Sequence, residues 1–225
     1  MNARDRILGR LRAAAAHGAG VNDLGHRIDA HFDARRDNAS PEVLARRMQA
    51  ALEAVRAQAW CARAGEWPAL LAQRIVDAGV RRVLVDSASP EGRALRAALP
   101  ASVEPVAFDR PLEDWKAELF GTIDAGFTVA RSGIAATGTL VLAPDTASPR
   151  TVSLVPPLHI ALVHAHTLHA DLHQALHAER WQDGMPTNLV LATGPSRTSD
   201  IQQTLAFGAH GPRWTWVVIV TGEPA

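Results

Sequence analysis

From Ser40 to Val220 the chain alternates short runs rich in β-branched residues with stretches of helical periodicity, an order that few folds accommodate. A strand lying parallel to its predecessor needs a crossover of about a dozen residues or more, and a helix is the usual one. Ser40-Pro41-Glu42-Val43 opens a helix: serine at the N-cap, proline at the first helical position, where a missing N–H is harmless, and an early acid. Its periodicity predicts a helix to about Trp60, and a second helix spans about Pro68–Ala78 before Gly79. Strands are then expected at Val80–Val85 and Val103–Phe108, separated by a helix over 91–98.

The second half predicts strands at about 122–130, 138–143, 151–155 and 158–163. A helix at about 167–180, a strand at Leu189–Ala192, a helix at Ser196–Phe207 and a strand at Trp214–Val220 follow. The fold class expected for residues 40–225 is α/β, a mostly parallel sheet covered by helices with some antiparallel insertion. Residues 1–39 precede it as an N-terminal helix and arm. Ile7, Leu8, Leu11 and Ala15 fall on one stripe of a helix over 3–16, and Gly18-Ala19-Gly20 breaks it. The stretch from Val21 to Asn38 lacks clear periodicity and reads as an extended arm. An amphipathic helix on an arm is a device for subunit contact, so a homo-oligomer through this helix is expected.

Charge and reactive residues narrow the function. Lys and Arg total 23 and so do Asp and Glu, for a net charge of zero; the basic footprint of a nucleic-acid binder is missing. Cys61 is the only cysteine, so an iron–sulfur cluster, normally held by four thiolates, cannot be bound by this chain alone. Lys116 is the only lysine and no Gly-rich loop precedes it, which sets aside Schiff-base and phosphate-loop chemistry. The N-terminus is charged through Arg12, its apolar stretch Ala13–Ala16 is too short for a signal-peptide core, and no apolar run has the length of a membrane span. A cytoplasmic location is the expectation.

Three segments can carry chemistry. Asn188 to Ile201 reads as a strand running into Gly194-Pro195, with Ser196 as N-cap of a helix. The free N–H groups of such a helix start form an anion site, on which Arg197 and the hydroxyls of Ser196 and Thr198 close. An ordinary capped turn has the same signature. Thr137-Gly138-Thr139, entering a strand, exposes amides and hydroxyls without bulk, or else marks a bend. Phe207-Gly208-Ala209-His210-Gly211-Pro212 holds His210 between small residues, as proton donor, cationic clamp or turn residue. Arg197, Asp200 and His210 are the candidate catalytic groups. Thr137, Gly138, Thr139, Gly194, Pro195, Ser196, Arg197, Thr198, Gly208, His210 and Gly211 form the candidate ligand-binding set.

Histidine recurs at 159, 164 and 166 and then at 169, 173 and 177; the last three share one face of a helix that starts by 169. Two histidines at this spacing can chelate zinc, but no Glu or Cys partner is spaced like a known zinc motif. A solvated or interface stripe is expected, with no metal.

Four motifs stand in order: Ala135-Ala136-Thr137-Gly138-Thr139, Ser153-Leu154-Val155-Pro156-Pro157-Leu158-His159, Gly194 to Ile201, and Gly208-Ala209-His210-Gly211-Pro212. Together they resemble the lactate-utilisation protein C family, the stand-alone LUD domain, from the helix before Val80 to Val220. The resemblance implies a fold like the CoA-transferase and ribose-5-phosphate isomerase group. It implies a role beside iron–sulfur partner proteins in oxidising L-lactate to pyruvate, with this chain the non-redox accessory subunit. Binding of a small carboxylate or a partner through the Gly194–Asp200 loop is the expected task. A free-standing enzyme on a sugar phosphate or acyl-CoA, and a non-catalytic scaffold, are the alternatives. Where the family usually places acids, this chain has Ala136 and Gln202, which removes two carboxylates from any acid–base or nucleophilic role.

Overall fold

A computed structural model describes residues 3–16, 21–199 and 205–222. The chain forms two compact units, residues 1–38 and 39–225. In the first, α1 (Ala3–Ala16) is followed by α2 (Val21–Asp33). The segment expected as an arm is therefore helical: Leu24 and Ile28 recur at one-turn spacing, Asp23 lies in the first turn and His31 in the last. The Gly25 within this pattern obscures the period.

The second unit is built on a six-stranded sheet, all of whose pairings are parallel, in the order β1-β12-β7-β4-β2-β3. These strands are β1 (Gln58–Arg63), β2 (Arg82–Leu84), β3 (Glu104–Val106), β4 (Ala125–Val129), β7 (Leu158–His164) and β12 (Trp214–Thr221). The central strands are buried on both faces, which is why they read as continuous apolar runs. Along β7, Leu158, Ile160 and Leu162 pack with α4 (Trp67–Asp77) and α5 (Pro90–Ala98), through Trp67, Leu71, Ile75 and Leu95. Ala161 and Val163 face the opposite way, against Leu44, Met48 and Leu52 of α3 (Pro41–Ala54). Beyond α3 a second, mixed sheet runs β8-β5-β6-β9: β8 (Leu168–His169), β5 (Ser132–Ile134), β6 (Thr139–Leu142) and β9 (Val190–Ala192). Among the described residues no helix is long and apolar enough to cross a membrane.

Four expected elements are corrected and one unexpected helix is added. The helix from Ser40 stops at Ala54, not Trp60, and β1 follows. Arg56 takes φ 68° while its N–H donates to Glu53 and that of Ala57 to Leu52, a helix-terminating turn of the kind glycine usually makes. Residues 151–154 lie not in a strand but in α7 (Arg150–Leu154), with Pro149 at its N-cap and Val155 at its C-cap. The helix of 167–180 shortens to α8 (Leu172–Ala178), capped where the Asp171 carboxylate accepts from Gln174 N–H at 2.8 Å. His169 thus lies in β8, and only His173 and His177 share a helical face, their Nε2 atoms 3.1 Å apart. The helix of Ser196–Phe207 is replaced, in its described parts, by β10 (Arg197–Ser199) and β11 (Leu205–Phe207), paired antiparallel. Finally, α6 (Leu112–Gly121) supplies the unforeseen crossover between β3 and β4.

Candidate functional site

The Thr137-Gly138-Thr139 turn joins β5 to β6, and the Gly194 turn leaves β9, the antiparallel neighbour of β6. The two turns are adjacent because their strands are paired. Thr139 Oγ1 lies 2.7 Å from Thr137 Oγ1 and 2.7 Å from Thr193 Oγ1, a chain of hydroxyls across both turns. Gly138 (φ +65°) abuts α3 so closely that a Cβ would lie 2.8 Å from the Leu52 backbone nitrogen. A Cβ on Gly194 (φ +75°) would likewise lie 2.8 Å from Val55 Cγ2. Both glycines are thus demanded by packing against the end of α3.

With no helix starting at Ser196, the fan of free N–H groups expected there is lost. Ser196 N–H donates to the Pro212 carbonyl at 2.8 Å, and its carbonyl accepts from Gly208 N–H at 3.0 Å. Gly208 is not a helix stop; its φ of +76° turns the chain out of β11. This clip brings the Gly208–Pro212 segment alongside the Gly194–Ser196 turn. Gly194, Pro195, Ser196, exposed His210 and Gly211 line one cleft of about 260 Å³, with Val190–Ala192, Ser153 and His159. Thr137, Gly138 and Thr139 stay outside it, joined through Thr193, which lines it. Arg197 and Thr198 belong to β10 and do not line it. Asp200 and Gln202 lie outside the described residues, and Ala136 is exposed just before the first turn.

The floor of the cleft carries what sequence reasoning left out of the site. His159 is 2% exposed, and its Nε2 lies 2.8 Å from the hydroxyl of Thr128, 7% exposed. Burial pushes its pKa down to about 4, so the ring is neutral near pH 7. A neutral imidazole has one donor and one acceptor nitrogen; Nε2 serves Thr128 and leaves Nδ1. His159 is in register with Gly126 on one side and with Thr215 on the other. A Cβ on Gly126 would lie 2.0 Å from the Val152 carbonyl, so this glycine lets α7 cross the sheet here. The available signal was a polar residue inside each of three apolar strand runs: Phe-Thr-Val, Leu-His-Ile and Trp-Thr-Trp.

Among the described residues the lining contains no carboxylate, lysine or arginine. Hydroxyls, peptide groups and a neutral imidazole suit hydrogen-bonded docking and proton relay more than the capture of bare charge. Elsewhere, His169 Nε2 stands 4.0 Å from Glu179, and desolvation lowers its pKa against the pull of Glu179 and Asp171. Cys61 is an exposed free thiol whose pKa partial burial raises; it donates to Gln49 Oε1 at 3.3 Å and is kept protonated rather than primed as a ligand.

The sequence model of the LUD domain matches residues 45–220, from within α3 to within β12. An uncharacterized protein of Neisseria meningitidis serogroup B is 39% identical over 95% of this chain and 91% of its own length. Lactate utilization protein C of Macrococcus caseolyticus is 36% identical over 43% of this chain and 44% of that protein. The protein of the same name from Anoxybacillus flavithermus is 35% identical over 42% and 43%. These two matches span under half of each relative. The crystal structure of a DUF162 family protein from Deinococcus radiodurans shares the fold, with a TM-score of 0.57 and 22% identity over 81% of this chain and 99% of that one. The α/β architecture expected from the order of elements thus has a solved counterpart, and the chain belongs to the LUD domain family.

Proposed function

We propose that this protein is the accessory, non-redox component of a system that oxidises L-lactate to pyruvate, and that it works by docking an iron–sulfur partner through the cleft between the Gly194–Ser196 turn and His210-Gly211. The observation that carries this reading is the convergence of the Gly194–Ser196 turn and the His210-Gly211 turn on one cleft with an apolar rim and a neutral floor. Strand β9 ends its sheet, and Leu191 on it is 47% exposed, so an edge and an apolar side chain are offered together. A lone thiol cannot hold a cluster, which leaves the electrons to the partner. The names of the lactate utilization relatives supply the pathway. In the N-terminal unit, exposed Ile7 and Leu11 recur one turn apart on α1 and fit contact with a second copy.

The test is genetic and biochemical. Deletion of the gene is expected to abolish growth on L-lactate but not on pyruvate, and the tagged chain is expected to co-purify with protein containing iron and acid-labile sulfide. Leu191→Asp, on the cleft rim, is expected to lose that partner while folding normally. Normal growth on L-lactate, in a strain with no second lactate dehydrogenase, sinks the proposal.

A further inference from the structure

A second cleft, of about 140 Å³, opens at the carboxyl ends of the large-sheet strands, lined among others by Asp86, Ser89, Thr128, Asp145, Arg150 and Ser153. Its place follows from topology. The crossover from β2 runs through α5 outward to β3, whereas the chain leaving β4 travels the other way to β7. Between β2 and β4 the direction of winding reverses, the loops part, and a crevice is left at the strand ends; in open parallel sheets ligands bind there.

The walls are held rigidly. After β2 the Asp86 carboxylate accepts from Ala88 N–H at 2.6 Å and from Ser89 N–H at 3.0 Å, and Ser89 Oγ accepts from Gly92 N–H at 3.0 Å. A Cβ at Gly92 would stand 1.7 Å from the Asp86 carbonyl, so this turn closes only on glycine. Asp145 also lines the cleft, and its carboxylate accepts from Ala147 N–H at 2.9 Å and Ser148 N–H at 2.7 Å. Each carboxylate therefore serves its own turn and keeps lone pairs for a hydroxyl donor. Arg150 is exposed at the start of α7, and its guanidinium pairs with no carboxylate among the described residues. Thr128 forms part of the wall and is bonded behind it to His159; Ser153 borders both clefts.

We infer that this switch-point cleft binds a small anion bearing a hydroxyl group: the anionic end on Arg150, the hydroxyl on Asp86 or Asp145. A guanidinium that lines the cleft together with two carboxylates suits a ligand that is anionic at one end and donates a hydroxyl at the other, features that a hydroxy acid and hydrogenphosphate share. A cavity of this size takes about six heavy atoms, the size of a three-carbon hydroxy acid or of phosphate. The switch-point cleft adjoins the docking cleft at Ser153, but Asp86, Asp145 and Arg150 line the switch-point cleft alone.

Calorimetry on the full chain with L-lactate, D-glycerate and inorganic phosphate in turn, backed by amide NMR shifts at Ala88, Ser89 and Thr128, tests this. Saturable binding of at least one probe is expected, weakened about tenfold or more by Arg150→Gln, which removes a charge-assisted pair, and unchanged by Arg63→Gln on β1. Binding of the hydroxy acids identifies a carboxylate ligand, and binding of phosphate alone a phosphorylated one. Absence of saturable binding by all three, or equal affinity in Arg150→Gln with unchanged unfolding, overturns the assignment. Partner co-purification by Arg150→Gln should be normal, so the two proposals fail separately.

Discussion

The hydroxyl of Thr139 lies 2.7 Å from that of Thr193, fifty-four residues later, and so fastens the turn entering β6 to the turn leaving β9. Thr139 is 6% exposed, whereas Thr137 and Thr193 on either side of it are exposed. The central hydroxyl is the one that cannot turn to water. Thr139→Val is expected to destabilise the fold by about 1 kcal/mol, and Thr193→Val by less, because Thr139 keeps its bond to Thr137. Urea denaturation of the two variants checks the order; a larger loss for Thr193→Val would mean that the bond to Thr137 does not suffice.

Gly138 and Gly79 have nearly the same backbone, φ +65° and +71°, but different surroundings. A Cβ at Gly79 meets nothing within 4 Å, while one at Gly138 meets backbone at 2.8 Å, which cannot swing away. Gly79→Ala should therefore cost only the left-handed conformation, about 1 kcal/mol. Gly138→Ala should add displacement of the α3 terminus and cost about 3 kcal/mol or more in total. Midpoints of chemical denaturation distinguish them, and equal losses would show that conformation alone sets the cost.

Glu179 is the hub of the second sheet's polar contacts. Its side chain, 8% exposed, accepts from Ser132 Oγ and from Trp181 Nε1 at 3.0 Å and pairs with Arg131 Nε at 3.0 Å. Glu179→Ala strands a hydroxyl and an indole N–H in the interior, and a loss of about 3 kcal/mol is expected. Glu179→Gln retains an acceptor and should lose clearly less. Neither variant keeps the charge that pairs with Arg131, so the difference between them should shrink little in high salt. Denaturation with and without added sodium chloride measures both expectations.

The parts legible in the sequence were those whose reason is local. β4, β7 and β12 announce themselves as apolar runs, and α5 by Ser89-Pro90 at its start. β1 was hidden because Arg56, not a glycine, ends α3, and because Ala-rich Gln58–Arg63 becomes a strand only on pairing with β12. The anion-binding helix start at Ser196 was a reasonable local reading that pairing overturned: Arg197 faces Phe207 across a ladder. The site followed the same rule. Gly194, Ser196, His210 and Gly211 were visible as small-residue turns, but their meeting place was not. Thr128 and His159 are thirty-one residues apart and touch only because β4 and β7 are neighbours.

His159 supplies the sharpest test of that buried pair. Its pKa falls from an ordinary value near 6.5 to about 4 in the folded chain. Between these values the unfolded chain holds a proton that the folded chain does not, so stability must fall as pH drops from 6.5 toward 4 and gain nothing further from this group above 6.5. The full swing is about 3 kcal/mol. Other groups titrate in the same window, so the comparison is with His159→Gln, which fills the space, can still bond Thr128 and carries no titrating proton. The variant should be less stable at pH 7.5, since the imidazole's packing is lost, yet its stability should decline less steeply to pH 4.5. Parallel denaturation curves at the two pH values give the difference of slopes directly. Equal slopes would mean that His159 takes up its proton in the folded state, and the neutral floor of the cleft would have to be abandoned.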